Sequence, residues 1–329
     1  MAESTDTYAL RWPWSAAATF VGLMWIAYGW SIWAAGGVSS ESRGMWIGSL
    51  TGRGYYVTGA VNSVAIVQYR EWERLVSGIF MHAGFLHIIM NSAAILQLGR
   101  ILEAFTTRGR CWLTLLLSGL CGSLAVVIWA RVTGQPGSAI GASGAGCGLG
   151  TALIVLSRGI GPLAEFRKQM ITWVVVMLAM GLIPIISGTG HAGGAIGGAL
   201  AGLIIGRRGS LRMANDRWST GLDRATRLLT LLFVAALAVN GWRAMDRKAG
   251  DAKIDEAVSE VYAWLNEGKL PDGREWADRL EALDLSGRLD YERRFVLDLV
   301  NWLRQRDGGR VSEHDAEDAR GALRELRGR

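Results

Sequence analysis

The sequence predicts an all-α polytopic membrane protein with a six-helix core, a seventh transmembrane helix and a small soluble helical C-terminal domain. Half of the 329 residues are apolar and only 19% are charged, while glycine reaches 44 and tryptophan 15. Glycine and interfacial tryptophan are both frequent in membrane helices. Basic residues are in excess over residues 1–242, whereas residues 243–329 are net acidic. The basic excess therefore lies in the membrane part, where it predicts topology and not nucleic-acid binding.

Apolar runs identify the spans, because a hydrocarbon core of about 30 Å needs roughly 20 residues of helix. The runs that are long enough are Trp12–Ala35, Leu75–Gly99, Cys111–Ala130, Ile140–Leu156, Gln169–Ser187 and Thr189–Gly206. A further run, Leu228–Trp242, is shorter, and Arg227 and Arg243 at its edges would have to extend toward the headgroups. Only Thr230 and Asn240 interrupt its apolar surface, which favours a seventh span over an interfacial helix.

Arginine and lysine follow the even-numbered spans, whereas the loops after spans 3 and 5 carry only Arg131 and no charge, respectively. Positive residues stay inside, so we expect an integral protein of a bacterial cytoplasmic (inner) membrane whose even-numbered spans begin at the outer face. If residues 228–242 span, the C-terminal domain lies outside; if they lie on the membrane, it is cytoplasmic. The apolar segment Gly36–Arg74 is expected to pack on the membrane surface. The predicted order is a cytoplasmic tail (1–11), the core (12–206), a basic cytoplasmic linker (207–227), the seventh span (228–242) and the soluble helical domain (251–329).

Polar side chains open spans 2, 4 and 6 near the outer side of the bilayer. The stretch FMHAGFLHIIMN contains His82, His87 and Asn91. His87 and Asn91 are four residues apart and therefore share one helical face. Ser143 opens span 4 within GASGAG, and His191 opens span 6 within GHAGGAIGGALAG. Taken singly, such a histidine is often a helix–helix hydrogen-bond partner, but ionisable residues inside a membrane indicate function by default.

Together these residues predict nucleophilic catalysis. A stripe of glycines follows at every fourth residue of span 6, at Gly194, Gly198 and Gly202. Such a stripe lets another helix approach closely, and if that helix is span 4, His191 comes within hydrogen-bond reach of Ser143. Histidine can accept the serine proton and so activate the hydroxyl. His87, Asn91 and the backbone N–H of Ser143 are candidate donors to the oxyanion that acyl transfer creates.

The motifs HAGFLHIIMN, GASG and GHAGGAIGG, in this order on spans 2, 4 and 6, resemble the rhomboid family of intramembrane serine proteases. The similarity covers roughly Arg74–Gly206. The family implies a six-helix rhomboid core and a serine–histidine dyad, without an acidic third member, that cleaves transmembrane segments of other proteins. Ser143 then matches the nucleophile and His191 the general base, while His87 and Asn91 match the oxyanion donors. We expect no cofactor and no metal ion.

The resemblance also implies supporting residues and shows departures. His82 matches a structural histidine, and glycines of the same motifs are expected to support the site: Gly141, Gly144, Gly194 and Gly198. Cys147 stands where many rhomboids have a tyrosine that stacks on the catalytic histidine. In REWERL, Arg74 matches the arginine of the family's Trp-Arg pair, while Trp72 is displaced by one residue.

Two other classes of function are less consistent with the sequence. A catalytically inactive rhomboid-like protein would bind membrane clients without cutting them, and its signature is loss of the serine or the histidine; both Ser143 and His191 are present. A transporter would gather polar groups at the midplane, whereas here they lie at one end of three helices. The expected partners are transmembrane protein substrates and the lipid bilayer, with no nucleic acid. The sequence identifies no partner for the C-terminal domain.

Overall fold

The computed structural model describes residues 15–39, 47–50, 52–158, 161–183, 186–206 and 217–267, together with 278, 281 and 282. Within these residues the chain forms helices and one pair of very short strands. In chain order they are α1 (Ala16–Ala34), α2 (Gly52–Thr58), β1 (Val61–Asn62), α3 (Ser63–Gln68), α4 (Arg74–Phe80), α5 (Phe85–Phe105), α6 (Arg108–Thr133), β2 (Ser138–Ala139), α7 (Ser143–Leu156), α8 (Gly161–Met180), α9 (Gly188–Gly206) and α10 (Arg217–Glu267).

Two compact units make up the chain. The first contains Met1–Leu50 and Gly54–Gly241, and the second contains Thr51–Arg53 and Trp242–Arg329. Of the second unit, the described residues are mainly the continuation of α10 to Glu267. All the residues discussed below as a functional site belong to the first unit.

Length and composition qualify five of the described helices to cross a membrane: α1, α5, α6, α9 and residues 221–246 of α10. Helix α7 is also apolar, but it has only 14 residues. A helix satisfies its own backbone hydrogen bonds, so it can cross the hydrocarbon core without other hydrogen-bond partners. The prediction of an all-α polytopic membrane protein is confirmed, and the chain is an integral membrane protein.

The predicted second span, Leu75–Gly99, is wrong as a single helix. Helix α4 ends at Phe80, and α5 begins only at Phe85 and continues to Phe105. Gly84 in the connection has φ +151°, a conformation that glycine adopts far more readily than other residues. His82 therefore lies in this connection and not on the membrane helix.

The helix at the predicted fifth span, Gln169–Ser187, begins and ends earlier in the chain than predicted. Helix α8 covers Gly161–Met180, so that Arg167 and Lys168 lie on its early turns and not in a loop. Long basic side chains can extend to the headgroups while their backbone stays helical, and a hydropathy run therefore starts later than the helix. Helix α8 is not among the five candidate spans.

The predicted seventh span is part of a much longer helix. Helix α10 has 51 residues, and its apolar part, residues 221–246, has 26 residues instead of the 15 expected for Leu228–Trp242. Its length no longer argues against a span, since 26 residues reach about 39 Å at 1.5 Å per residue. The helix continues through residues 251–267, where the soluble domain was expected to begin. The N-terminal tail, residues 207–216 of the linker and most of the C-terminal domain lie outside the described residues.

Helix α9 packs between α6 and α7 through glycines. A Cβ atom added at Gly194 or Gly198 would collide with the backbone of Gly144 or Gly148 in α7. An adjacent face of α9 approaches α6 at Gly193, where an added Cβ atom would collide with the Ala125 side chain and the Cys121 backbone. Because no side chain separates these backbones, the first turns of α7 and α9 are held close together.

The segment between α1 and α4, here called the first-loop segment (residues 47–50 and 52–73), is built around a buried arginine. Arg74 is fully buried, and its Nη1 donates to the carbonyls of Tyr56 and Ala60 at 2.8 and 3.1 Å. Its Nε donates to the carboxylate of Glu71. These partners offset the free energy of burying the charge. Strand β1 then pairs antiparallel with β2, which joins this segment to the residues that precede α7.

Candidate active site

Ser143 and His191 meet where the first turns of α7 and α9 come together. The Ser143 Oγ lies 2.9 Å from the Nε2 atom of His191. Ser143 is the first residue of α7, and His191 lies in the first turn of α9. His191 is only 3% exposed, so the contact is shielded from competing solvent.

The other ring nitrogen of His191 contacts the end of α8. The Nδ1 atom lies 2.8 Å from the carbonyl oxygen of Met177. A carbonyl only accepts, so Nδ1 carries the proton and Nε2 is left to accept from Ser143. The Met177 carbonyl is available because the N–H of Gly181 bonds to Leu178, three residues back, instead of continuing the α-helical pattern.

Sequence reasoning missed this orienting contact. Because Cys147 replaces the tyrosine that often stacks on the catalytic histidine in the family, the sequence left open what orients His191. Cys147 is fully buried in α7. The Met177 carbonyl supplies the orienting contact, and no side-chain pattern could have indicated it, because every residue carries a backbone carbonyl.

His87 and Asn91 face the turn that precedes Ser143. A Cβ atom added at Gly141 would approach His87 Nε2 to 2.9 Å and Asn91 Nδ2 to 3.4 Å. Gly141 also has φ +110°, so both the space and the backbone require glycine here. The Nδ1 atom of His87 accepts from the N–H of Ala83 at 3.2 Å, which leaves the ring proton on Nε2, toward Gly141.

The side-chain amide of Asn91 is poised to donate. Asn91 is 6% exposed, and its Nδ2 has no hydrogen-bond partner among the residues that the structure describes. A buried donor without a partner is rare and points to a ligand or a reacting group that completes it. The structure thus directs two donors, His87 Nε2 and Asn91 Nδ2, at one turn.

His82 lies against His87 and does not join the dyad. The two rings are edge to face, with their centroids 5.1 Å apart. The Nδ1 atom of His82 contacts the carbonyl oxygen of Phe80 at 3.0 Å, and the side chain is 1% exposed. His82 thus packs beside the His87 ring, and its supporting role stays a prediction.

A small cavity of about 30 Å³ adjoins Ser143. Its polar lining includes Ser123 of α6 and Ser187 just before α9, beside Gly141 and Gly144. A polar cavity of this size can hold one or two water molecules. Within the described part of the chain, no three histidine, cysteine, aspartate or glutamate residues are grouped closely enough to hold a metal ion.

Comparison with known proteins places these helices in a family. A family model described as the Rhomboid domain matches residues 69–208. The Rhomboid protease GluP of Bacillus subtilis is 33% identical over 146 residues, which are 43% of this chain and 28% of GluP. The Bacillus subtilis protein YdcA is 30% identical over 154 residues, 46% of this chain and 71% of YdcA.

RHOMBOID-like protein 6, mitochondrial, of Arabidopsis thaliana is 29% identical over 153 residues, which are 45% of this chain and 48% of that protein. The matched part of the chain thus covers less than half of GluP and of the Arabidopsis protein. Residues 69–208 contain α4 to α9, and with them the serine, the histidines and the asparagine that face one another. Since this match extends over most of YdcA as well, the chain belongs to the rhomboid family.

Proposed function

We propose that this protein is an intramembrane serine protease that cleaves transmembrane segments of other membrane proteins. The observation that carries the proposal is the 2.9 Å contact between Ser143 Oγ and His191 Nε2. A serine hydroxyl becomes a strong nucleophile only when a neighbouring base accepts its proton. Membership of a family whose members include a named rhomboid protease supports the same activity.

The first chemical step forms an acyl-enzyme. Ser143 Oγ attacks the scissile carbonyl carbon while its proton passes to His191 Nε2. The Met177 carbonyl accepts from Nδ1–H and so stabilises the imidazolium that forms. When the tetrahedral intermediate collapses, the C–N bond breaks and the leaving amine takes the proton from His191.

Negative charge develops on the substrate oxygen during this step. His87 Nε2–H, Asn91 Nδ2–H and the backbone N–H of Ser143 are the donors that we assign to it. The N–H of Ser143, at the first position of α7, has no partner within the helix. Donors held by packing before the reaction starts stabilise the transition state without reorganising during it.

The second step consumes water. A water molecule attacks the acyl carbon, His191 accepts its proton, and Ser143 leaves with that proton restored. The cavity lined by Ser123 and Ser187 lies beside the nucleophile and can supply this water from within the protein. Hydrolysis inside a bilayer requires such a protected polar space.

The function is tested first by chemical labelling. Purified protein in proteoliposomes is expected to react with a fluorophosphonate probe at Ser143 and to cut a reporter transmembrane substrate. The His191→Ala variant should lose the labelling, because no base then accepts the serine proton. Labelling is read by mass spectrometry of the peptide that contains Ser143.

Two results would contradict the proposal. Binding of the reporter substrate without labelling or cleavage would favour the alternative, an inactive rhomboid-like protein that binds membrane clients. Full labelling of the His191→Ala variant would show that the probe does not depend on the dyad. Thr172→Val serves as the control and should label normally, because Thr172 is exposed and its hydroxyl donates to the carbonyl of Lys168 within α8.

We place the active site at the outer face of a bacterial cytoplasmic membrane and the C-terminal domain outside the cytoplasm. Near the start of α6, Trp112 Nε1 donates to Thr230 Oγ1 of α10 at 2.8 Å. Asn240, ten residues further along α10, contacts Thr58 in the first-loop segment. Strand pairing puts that segment beside β2, which follows the end of α6. These contacts support an α10 that crosses the membrane in the same direction as α6.

A reporter fusion checks this topology. Alkaline phosphatase fused after Arg329 is expected to be active and green fluorescent protein to be dark, since the former folds only outside the cytoplasm and the latter only inside. Fusions after Gly206, at the end of α9, are the control and should give the reverse pattern. A fluorescent fusion after Arg329 would show that the C-terminal domain is in the cytoplasm and that α10 does not cross the membrane.

A further inference from the structure

Helix α10 touches the rest of the first unit through a narrow stripe. Only 17% of its apolar window is buried, against 39% to 67% in the other four candidate spans. Its buried residues are Thr226, Phe233, Asn240 and Ala244, and the first three recur every seven residues along one face. Leu229, Ala236 and Leu237 also pack against the hydrophobic core, and the hydrogen bonds at Thr230 and Asn240 add directional contacts to this apolar packing.

Asn240 fits into a space that only a glycine provides. The side chain is 2% exposed, and its Nδ2 donates to the carbonyl of Thr58 at 3.0 Å. Gly59 has φ +99°, and a Cβ atom added there would collide with the Asn240 amide. The asparagine therefore holds the end of α2 from the side of α10, both by a hydrogen bond and by filling the space beside Gly59.

From Gly59, hydrogen bonds continue to the turn before the nucleophile. The carbonyl of Gly59 accepts from Ser77 Oγ at 2.6 Å. The next residue, Gly78, accepts from the N–H of Gly141 at 2.9 Å. Gly141 is the residue that borders the two predicted oxyanion donors and precedes Ser143 by two positions.

A second connection runs in parallel with the first. Val61 of β1 pairs with Ala139 of β2, only two residues after Gly59 and two before Gly141. The N–H of Ser63 also donates to the carbonyl of Gly137 at 2.9 Å. The end of α2 is thus tied at several points to the backbone that leads into Ser143.

We propose that Asn240 is a positioning residue, through which α10 holds the first-loop segment and thereby the Gly141–Ser143 turn. The inference rests on the proposed function, since positioning is measured here as turnover. A merely anchoring role for α10 makes a different prediction, because any polar contact on its stripe would then matter equally. Thr230, which contacts α6 and not the first-loop segment, provides that comparison.

The experiment compares Asn240→Leu with Thr230→Val in proteoliposomes. Both changes remove one interhelical hydrogen bond of α10. Such bonds in membranes correspond to about a threefold to twentyfold change in an equilibrium. We expect Asn240→Leu to lower kcat for a reporter substrate by about that factor with KM unchanged, and Thr230→Val to leave kcat unchanged. Hydrogen exchange of the peptide covering residues 137–143 should be faster only in Asn240→Leu.

The outcomes separate this inference from the proposed function. Equal kcat and equal exchange in wild type and Asn240→Leu would overturn the positioning role while leaving the protease intact. A wild type without any cleavage would overturn the protease, and the exchange measurement would then still decide whether Asn240 holds the turn. If Asn240→Leu does not accumulate, Gly59→Ala displaces the same amide from the other side and should accelerate the same exchange.

Discussion

Replacing Ser143 by alanine is expected to abolish cleavage of a reporter transmembrane substrate, lowering turnover by about 10⁴-fold or more, as in other serine hydrolases. The covalent step needs the hydroxyl that can pass its proton to His191, and Ser143 Oγ makes that contact with His191 Nε2 at 2.9 Å. The fold should persist, because alanine at the first position of α7 removes one oxygen and favours the helix. Initial rates in proteoliposomes at saturating substrate measure the effect.

A matched control is available on α6. Ser118 is also buried, and its Oγ has no hydrogen-bond partner within the described part of the chain, so Ser118→Ala should keep wild-type turnover. Near wild-type cleavage by the Ser143→Ala variant would end the protease hypothesis. Loss of cleavage in both variants would point to a general loss of folding, which the thermal transition of the purified protein would reveal.

Replacing Asn91 by alanine is expected to lower turnover by roughly 10²–10³-fold, as for other side-chain donors to an oxyanion. Its buried Nδ2 has no partner within the described residues and points to the turn before Ser143, so the donor would find its acceptor only in the reaction. Stability should change little, because no hydrogen bond from that nitrogen is lost in the resting protein. The measurement is kcat together with the thermal transition.

Gln97 provides the control on the same helix. It lies on an exposed part of α5, and Gln97→Ala removes an amide side chain of similar chemistry without approaching Ser143. Unchanged turnover in Asn91→Ala would show that Asn91 is not an oxyanion donor and serves only in helix packing. A large loss of stability in Asn91→Ala would lead to the same conclusion, since a transition-state donor need not stabilise the resting fold.

The sequence is sufficient to predict the class of the protein and the helix starts that carry the candidate site residues. The length of an apolar run identifies a span, because a helix in lipid satisfies all of its backbone hydrogen bonds internally. Glycine at every fourth residue marks a face that admits a close neighbour, and that neighbour is α7, where Gly194 meets Gly144. Ser143 and His191 stand at the starts of these two helices, 2.9 Å apart. Their catalytic roles remain predictions.

Helix ends were predicted less well than helix existence. The break between α4 and α5 depends on the backbone conformation of Gly84, and glycine is too frequent in this chain for one more to indicate a break. Helices α8 and α10 extend beyond their apolar runs, because charged residues near the headgroups can stay helical. Hydropathy shows which part of a helix is apolar enough for the hydrocarbon core, and it does not show where the backbone hydrogen bonding of the helix stops.

The contact that orients His191 and the contact between α10 and the first-loop segment are apparent only from the three-dimensional structure. Met177 reaches His191 through a backbone carbonyl, which every residue carries and no side-chain pattern marks. Asn240 is one of two polar interruptions in an apolar run, and its contact with Thr58 joins residues 182 positions apart. Contacts of this kind depend on where each helix ends and on which helices lie side by side. The periodicity of apolar residues indicates only which face of a single helix is apolar. It does not indicate where the helix ends or which helices lie beside it.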